Sequence, residues 1–359
     1  MKRKFLLALT LVFVMAGLAC AMSVEDIAKI SVKADGSDFK YWNEDAPSLK
    51  ALKAYVEDVT NPESPNFIPV EDRICVSDMD GTFYGELAPT YSEWYLFFHR
   101  VFDDETYTPN PTLKAYAEEC LAAAKANKIT SDMDAGEDMA QAYAFEGMTL
   151  EEFDAYIDNF MKNTPLDGLS NCSFAEAYYL PMVEVISYLK ANGFNFYVVT
   201  GTDRQLVRVA LRAIPTIQPD HVIGTDSINI AQRQGFAGSQ YFQFEEPDIM
   251  MRGAYQATNN KMMKVSNICR EIGKRPVIAL GNSGSDASML NYAVFNPQYK
   301  SMAMGVNCDD GERDWGGPEK AKGFRALCEK FGWVAISMRD DWKTIYGDGV
   351  EKTEQKFRQ

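Results

Sequence analysis

The sequence has 359 residues, enough for one large domain or two ordinary ones, and 46% of them are hydrophobic. Acidic residues outnumber basic ones by 51 to 36, which gives a formal net charge of −15. A chain this acidic repels nucleic acid and anionic membrane surfaces, so we expect neither as a partner. An anionic substrate would need a local cation or a buried lysine.

The N-terminus has the pattern of a secretory signal peptide. A basic start at residues 1–4 precedes a nearly unbroken apolar run over 5–18 and a small-residue cleavage sequence at 19–21. The run is too short for a comfortable membrane span. We therefore expect a mature chain that begins at Met22, has no membrane span and is periplasmic or secreted. Lipid attachment at Cys20 is the less favoured alternative, because the preceding leucine is misplaced for it.

The most informative stretch follows a predicted N-terminal helix and loop. An apolar run at 74–76 predicts a buried strand, which ends in Asp78-Met79-Asp80-Gly81-Thr82. Two carboxylates at the end of a buried strand are costly unless they face a cation or do chemistry. A calcium-binding EF-hand loop is excluded, because its glycine and glutamate positions do not match. A simple polar turn stays open as the alternative.

Residues 85–178 predict a helical insert, with helices over 91–102, 112–128, 139–146 and 150–162. In the first of these, aromatic residues recur at helical spacing: Tyr91, Trp94, Tyr95 and Phe98. This spacing predicts one buried helix face. The alternative is an aromatic cluster beside Glu86 and Glu93 that binds a cationic group such as choline.

After the insert, strands and helices alternate. The predicted elements are helix 182–192, strand 194–200, helix 204–213, strand 221–224, a hairpin or irregular excursion at 226–256, helix 260–272, strand 276–280, strand 301–304, helix 320–331 and strand 333–337. This alternation predicts an α/β fold with a mainly parallel sheet that helices cover on both faces. Cys308 and Cys328 are the most plausible disulfide pair, and the cysteine spacing has no zinc pattern.

Four segments, in this order, resemble the motifs of the haloacid dehalogenase (HAD) superfamily of phosphohydrolases. They are Asp78-x-Asp80-Gly81-Thr82, Thr200-Gly201, Lys261, and Gly281-Asn282-Ser283-x-x-Asp286. The resemblance covers about residues 70–305 and implies a Rossmann-like core with an inserted helical cap. The implied division is 1–21 signal peptide, 22–70 N-terminal helical extension, 71–84 and 179–359 core, and 85–178 cap.

The resemblance also implies roles for the motif residues. Asp78 would be the nucleophile and Asp80 the general acid and base, a pairing that favours a phosphatase over a dehalogenase. The phosphoryl group would be bound by Thr82, Thr200, Gly201 and Lys261. Lys264, one helical turn after Lys261, is a competitor for the cation's role.

The implied cofactor is Mg²⁺, which prefers oxygen ligands. Its ligands would be Asp78, the backbone carbonyl of Asp80 and a side chain of the last motif, either Asn282 or Asp286. Many family members have Asp where this chain has Asn282, so the ligand stays open.

The expected function is that of an exported Mg²⁺-dependent phosphomonoesterase, which acts on a small phosphorylated metabolite through an aspartyl phosphate. Segments 145–149 and 180–182 also resemble the phosphoserine-phosphatase-like branch, which includes phosphorylcholine phosphatases. One alternative is a phosphotransferase that uses the same aspartyl phosphate. Another is a catalytically silent binding protein, towards which only Asn282 points.

Overall fold

The fold is described here from a computed structural model, which covers residues 21–32, 38–86, 88–234 and 243–358. The predicted signal peptide and the alternative lipid site at Cys20 lie outside these residues. Within the described ranges, every helix is too short or too polar to cross a membrane.

Seven strands form one sheet with the order β4-β3-β2-β1-β5-β6-β7. They are β1 (Ile74–Ser77), β2 (Asn195–Asp203), β3 (Val222–Ala231), β4 (Met250–Ala257), β5 (Ile278–Gly281), β6 (Met302–Asn307) and β7 (Val334–Ser337). All neighbours are parallel except β3 and β4, which pair antiparallel. The predicted α/β class with a mainly parallel, Rossmann-like sheet is confirmed.

Helices cover the sheet on both faces. In the described residues they are α1 (Val24–Ser31), α2 (Pro47–Thr60), α3 (Ser92–Phe98), α4 (Pro111–Lys125), α5 (Ser131–Ala144), α6 (Leu150–Asn163), α7 (Leu180–Ala191), α8 (Arg204–Ala210), α9 (Met262–Glu271), α10 (Ala287–Val294), α11 (Pro318–Phe331) and α12 (Met338–Asp341). Alternate residues of β1 point to opposite faces, so Ile74 and Val76 join one apolar cluster and Cys75 joins the other. β1 is therefore buried on both sides and fixes the centre of the molecule.

Helices α3–α6 lie between β1 and α7 in the chain, where the sequence predicts the helical insert. The start of α6 is a capping box, in which Thr149 and Glu152 each accept the other's backbone N–H. The excursion predicted at 226–256 contains the antiparallel pair β3–β4. Its second strand reaches the insert, because the Arg252 N–H donates to the Met148 carbonyl at 2.8 Å. The exact domain boundaries stay predictions.

The prediction of a Cys308–Cys328 disulfide is wrong for this structure, in which both are free thiols. Cys328 lies inside α11 and is turned onto β6. A Cβ placed on Gly305 would lie 2.8 Å from its sulfur, so the thiol packs against the strand instead of bonding to Cys308.

Candidate active site

The site lies at the carboxyl end of β1, where open α/β sheets bind their ligands. The Asp78 N–H donates to the Leu280 carbonyl at 3.0 Å, and this bond continues the β1–β5 pairing by one residue. The chain then turns at Gly81, which has φ +73°. A Cβ at Gly81 would lie 1.8 Å from Asn282 Nδ2, so only glycine fits between the two loops.

The cation that faces Asp78 is Lys264. Its Nζ lies 2.6 Å from Asp78 Oδ1 and 2.7 Å from Asp286 Oδ1, and the lysine side chain is 2% exposed. The expectation that Lys261 supplies this charge is corrected, because Lys261 is exposed and precedes the first turn of α9. Lys264 lies on the buried face of that helix, four residues before Ile268.

Asp286 holds its loop from behind. Its Oδ2 accepts the N–H groups of Asn282 and Ser283 at 3.0 and 3.1 Å, and its Oδ1 accepts Lys264. Asn282, in contrast, lines the cavity, and its Nδ2 donates to Glu86 Oε2 at 2.8 Å. Because the amide nitrogen makes this bond, the side-chain oxygen Oδ1 of Asn282 can accept a ligand. Of the two sequence candidates for the metal ligand, Asn282 lines the cavity and Asp286 does not.

Asp80 is buried beside Asp78 and is held on one side only. Its Oδ2 accepts the Thr202 hydroxyl at 2.7 Å, while its Oδ1 has no hydrogen-bond partner in the described part of the chain. Burial raises the pKa of Asp80 to about 6, although the Thr202 hydrogen bond opposes this shift. A carboxyl group with such a pKa can hold and release a proton near neutral pH.

The second motif brings Thr200, Gly201 and Thr202 to the cavity wall. The Thr200 hydroxyl accepts the Thr202 N–H at 3.2 Å, which forms a tight turn near the carboxyl end of β2, where the register with β3 shifts. Asn259 supports this turn from below, because its Nδ2 donates to the Thr200 carbonyl at 2.9 Å. Thr82 is fully buried and makes a long 3.5 Å contact with Asp78 Oδ2, so it lies behind the carboxylate.

Burial and charge act in opposite directions on the central pair. Burial raises the pKa of Asp78, and the neighbouring Asp286 charge raises it further, whereas Lys264 lowers it. Burial lowers the pKa of Lys264, but Asp286 and Asp78 together raise it above its ordinary value, so the ammonium stays charged. A hard cation would favour the ionised form of Asp78, and the oxygen donors of Asp78, Asp80 and Asn282 fit such an ion.

The cavity above these residues measures about 90 Å³. Its cap side is formed by Glu86, Tyr91, Glu93 and Asp134. Tyr91 donates its hydroxyl to Glu86 at 2.8 Å, and Lys320 forms an ion pair with the same carboxylate. A second cavity of about 630 Å³ shares Glu86, Tyr91 and Asp134 with the first and adds Trp315. The two cavities are therefore neighbours, separated by the Glu86–Tyr91 contact.

The buried face predicted for Tyr91, Trp94, Tyr95 and Phe98 is confirmed only for Trp94 and Phe98, since both tyrosines are half-buried. Trp94 and Phe98 are buried in the apolar core, with ring centroids 6.1 Å apart, and Trp94 lines neither of these two cavities. Tyr91 does line both.

Sequence reasoning assigned no role to Thr202 or Asn259. For Thr202, the repeated threonine in Thr200-Gly201-Thr202 was a usable sequence signal. Asn259 had no such signal, because the residues that it contacts are distant in sequence.

Comparisons with known proteins gave one family. The model of the family described as HAD, haloacid dehalogenase-like hydrolase, matches residues 75–291. None of the curated proteins compared with the chain matches it.

Several solved structures are similar to the chain. A protein of unknown function from Bordetella pertussis Tohama I has 15% identity and a TM-score of 0.48, and the match covers 74% of this chain and 97% of that one. A functionally unknown protein from Anaerococcus prevotii DSM 20548 has 12% identity and a TM-score of 0.49, with 85% and 94% covered. Cytosolic 5'-nucleotidase IIIB bound to cytidine has 13% identity and a TM-score of 0.47, with 88% and 92% covered.

Proposed function

The chain belongs to the haloacid dehalogenase-like hydrolase family, and we propose that it is a Mg²⁺-dependent phosphomonoesterase that works through an aspartyl phosphate on Asp78. One observation carries this proposal: the Lys264 ammonium bridges Asp78 and Asp286 at 2.6 and 2.7 Å, beside the half-satisfied carboxyl group of Asp80. This arrangement supplies a nucleophile, a fixed cation and a proton donor around one small cavity.

In the first step, a carboxylate oxygen of Asp78 attacks the phosphorus atom of the substrate. Lys264 holds Oδ1, which leaves Oδ2 with only its long contact to Thr82. The bond between phosphorus and the ester oxygen breaks, and the proton of Asp80 passes to that oxygen. The products of this step are an alcohol and a phosphate ester on Asp78.

In the second step, the Asp80 carboxylate accepts a proton from a water molecule as the water oxygen attacks phosphorus. The bond between phosphorus and Asp78 breaks, inorganic phosphate leaves, and both aspartates return to their starting states. The backbone of Thr200–Thr202 lines the cavity where the phosphoryl oxygens would lie.

Mg²⁺, when bound, would offset the negative charge that the phosphoryl group brings to these carboxylates. The residues placed to hold it are Asp78, the backbone carbonyl of Asp80 and the side-chain oxygen of Asn282. Asp286 would act through Asn282, since it accepts the Asn282 N–H.

The direct test is hydrolysis of an activated aryl phosphate by the purified protein. We expect EDTA to stop it and added Mg²⁺ to restore it. Mass spectrometry of acid-quenched enzyme should find the phosphate on the peptide that contains Asp78. Turnover that is unaffected by EDTA, or a phosphate on another residue, would refute the proposal. Adding an acceptor alcohol such as glycerol separates a phosphotransferase, which would form glycerol phosphate.

For the substrate, we propose a small phosphomonoester whose leaving group is neutral or cationic. The support is the cap side of the two cavities, where Glu86 and Asp134 are acidic and Tyr91 and Trp315 are aromatic. Lys320 is already paired with Glu86, so it is not free to bind a second anion on the substrate, and the Asp134 carboxylate would repel that anion.

A substrate panel with a matched pair of variants tests this preference. Asp134→Asn should raise KM for phosphocholine more than for an uncharged aryl phosphate. Asp132→Asn, an exposed change on the same helix α5, is the control and should alter neither. Equal KM changes for the two substrates would refute the proposed charge preference while leaving the hydrolase proposal intact.

We also propose that the protein is exported and that its mature form begins at Met22. The support is the charged start, the apolar run and the small-residue sequence at 19–21. Mass spectrometry of the native protein checks this, and a retained Met1 or a lipid on Cys20 would contradict it.

A further inference from the structure

A group of buried carboxylates lies in the cap, apart from the proposed chemistry. Glu93 on α3 and Glu137 and Asp138 on α5 each place a carboxylate oxygen within 4.8 Å of the other two. All three side chains are buried, and Glu137 is fully so. Only Glu93 among them lines the active-site cavity.

The hydrogen bonds of this group are incomplete. Glu93 Oε2 accepts the Asp203 N–H at 3.1 Å, and Asp138 accepts the Thr258 hydroxyl. Within the described residues, neither carboxylate oxygen of Glu137 has a hydrogen-bond partner. The buried arginine of this region, Arg252, donates to Asp203 instead, at 2.5 Å. A fully buried carboxylate with two unpartnered oxygens, close to two further carboxylates, is costly unless it holds a proton or binds a cation.

Burial raises the pKa of Glu137, and the neighbouring Asp138 raises it further. The pKa of Glu93 is raised in the same way, by burial and then by Glu137. The chain therefore offers the group only two solutions, which are to hold protons or to bind a cation.

We propose that Glu93, Glu137 and Asp138 form a Ca²⁺ site in the cap. The ligands are all carboxylate oxygens, which suit a hard cation. Ca²⁺ takes several carboxylate oxygens in a flexible geometry, whereas Mg²⁺ usually keeps several waters and binds only one or two carboxylates. Three carboxylates that each place an oxygen within 4.8 Å of the others therefore favour Ca²⁺. Because Glu93 reaches the active-site cavity, that cavity is an entry path.

The ion would join the cap to the core. Glu93 holds the backbone of Asp203, the residue directly after the Thr200–Thr202 turn, and Asp203 in turn caps α8. A cation on Glu93 would therefore fix α3 and α5 against the turn that lines the phosphate cavity. This site goes beyond the proposed hydrolysis, which uses none of its three ligands.

The test counts bound ions by equilibrium dialysis with Ca²⁺ and elemental analysis. The Asp78→Asn variant serves as the background, because it lacks a ligand of the Mg²⁺ site. It should retain one Ca²⁺ per chain, the double variant Asp78→Asn/Glu137→Gln should retain none, and Asp78→Asn/Glu118→Gln should retain one. Glu118 is an exposed glutamate on the neighbouring cap helix α4 and is the matched control.

Thermal unfolding gives an independent readout. Ca²⁺ at 100 times its Kd should raise the Tm of the wild-type protein by about 2 °C or more. In EDTA, Glu137→Gln should be at least as stable as wild type, because it removes one of three repelling carboxylates, but its Ca²⁺ shift should vanish. Asp138→Asn should lose the shift as well.

Failure to bind Ca²⁺, or equal binding by Asp78→Asn and its Glu137→Gln derivative, would overturn the proposal. Both ion counts and Tm are independent of phosphatase activity, so this failure differs from failure of the proposed function.

Discussion

The core and the cap each bury a group of carboxylates, but they balance the charge in different ways. At the end of β1, Lys264 lies 2.6 Å from Asp78 and 2.7 Å from Asp286, and all three are nearly inaccessible to solvent. In the cap, Glu93, Glu137 and Asp138 crowd together without a lysine or arginine bonded to any of them in the described residues. Both groups border one cavity through Asp78 and Glu93.

In the core, a lysine of the chain balances the negative charge of the carboxylates. In the cap, we propose that a bound Ca²⁺ does so. A lysine held by two carboxylates is fixed before substrate binds, so no reorganisation is needed when negative charge arrives. Within the described residues the cap group has no such cation, so protons or the proposed ion from solution must balance its charge. The following predictions test whether the two groups differ in this way.

The largest effect should come from Asp78→Asn. The amide cannot form the phosphate ester, so we expect kcat to fall by at least about 10³-fold. Lys264 keeps its bond to Asp286, so the Tm should stay within about 4 °C of wild type. Steady-state kinetics and a melting curve check both. Full activity in this variant would disprove the assignment of the nucleophile.

Removal of the core cation should affect both activity and folding. Lys264→Met leaves Asp78 and Asp286 buried without a partner, so the free energy of unfolding should fall by about 3–5 kcal/mol and kcat by about 10²-fold. Lys261→Met is the matched control, three residues away on an exposed position, and should change neither. Urea unfolding and kinetics of the two variants decide between the lysines, and a larger loss in Lys261→Met would reverse the assignment.

The choice between these lysines shows where sequence reasoning stops. The four motifs predicted the strand ends and helix starts of the core, because hydrophobic runs and glycine turns are local signals. Lys261 immediately precedes α9 and Lys264 lies in its first turn, and only the packing of Ile268 shows which face of α9 is buried. The spacing of four between Lys264 and Ile268 was a usable clue, since such residues share a helix face.

The cap carboxylates could not be predicted in the same way. Glu93 and Glu137 are far apart in the chain and meet only because α3 and α5 pack together. Acidic residues in helices usually face solvent, and nothing in the local sequence marks these two as buried. Their burial is set by tertiary contacts that no local pattern encodes, and the same is true of the Cys328 thiol against Gly305.

The cap also has an apolar core, and the Trp94→Ala variant tests its contribution to stability. Trp94 is fully buried, so its truncation should reduce the free energy of unfolding by about 3 kcal/mol or more. The KM values for phosphocholine and for an uncharged aryl phosphate should change alike. Tyr91→Phe is the contrasting variant, since its hydroxyl bonds to Glu86 in the cavity, and it should spare stability. A selective loss of phosphocholine binding in Trp94→Ala would restore the aromatic-cluster hypothesis.

The smallest effect concerns the pH dependence that Asp80 gives to stability and activity. Burial raises the pKa of Asp80 from 3.8 to about 6, so its contribution to stability is present below pH 3.8 and is lost as the pH rises through 6. The first step needs the protonated form, so kcat/KM should decline above about pH 6.

The Thr202 hydroxyl hydrogen-bonds to the ionised carboxylate at 2.7 Å and thereby lowers its pKa. Thr202→Val removes this bond without changing the size of the side chain, so the decline in kcat/KM should move to higher pH. Thr216→Val is the control, because the Thr216 hydroxyl has no hydrogen-bond partner among the described residues and lies outside the cavity. The measurement is a pH profile of kcat/KM for an uncharged aryl phosphate at saturating Mg²⁺. A profile that Thr202→Val leaves in place would mean that another group donates the proton, and the contrast between core and cap would then rest on Lys264 alone.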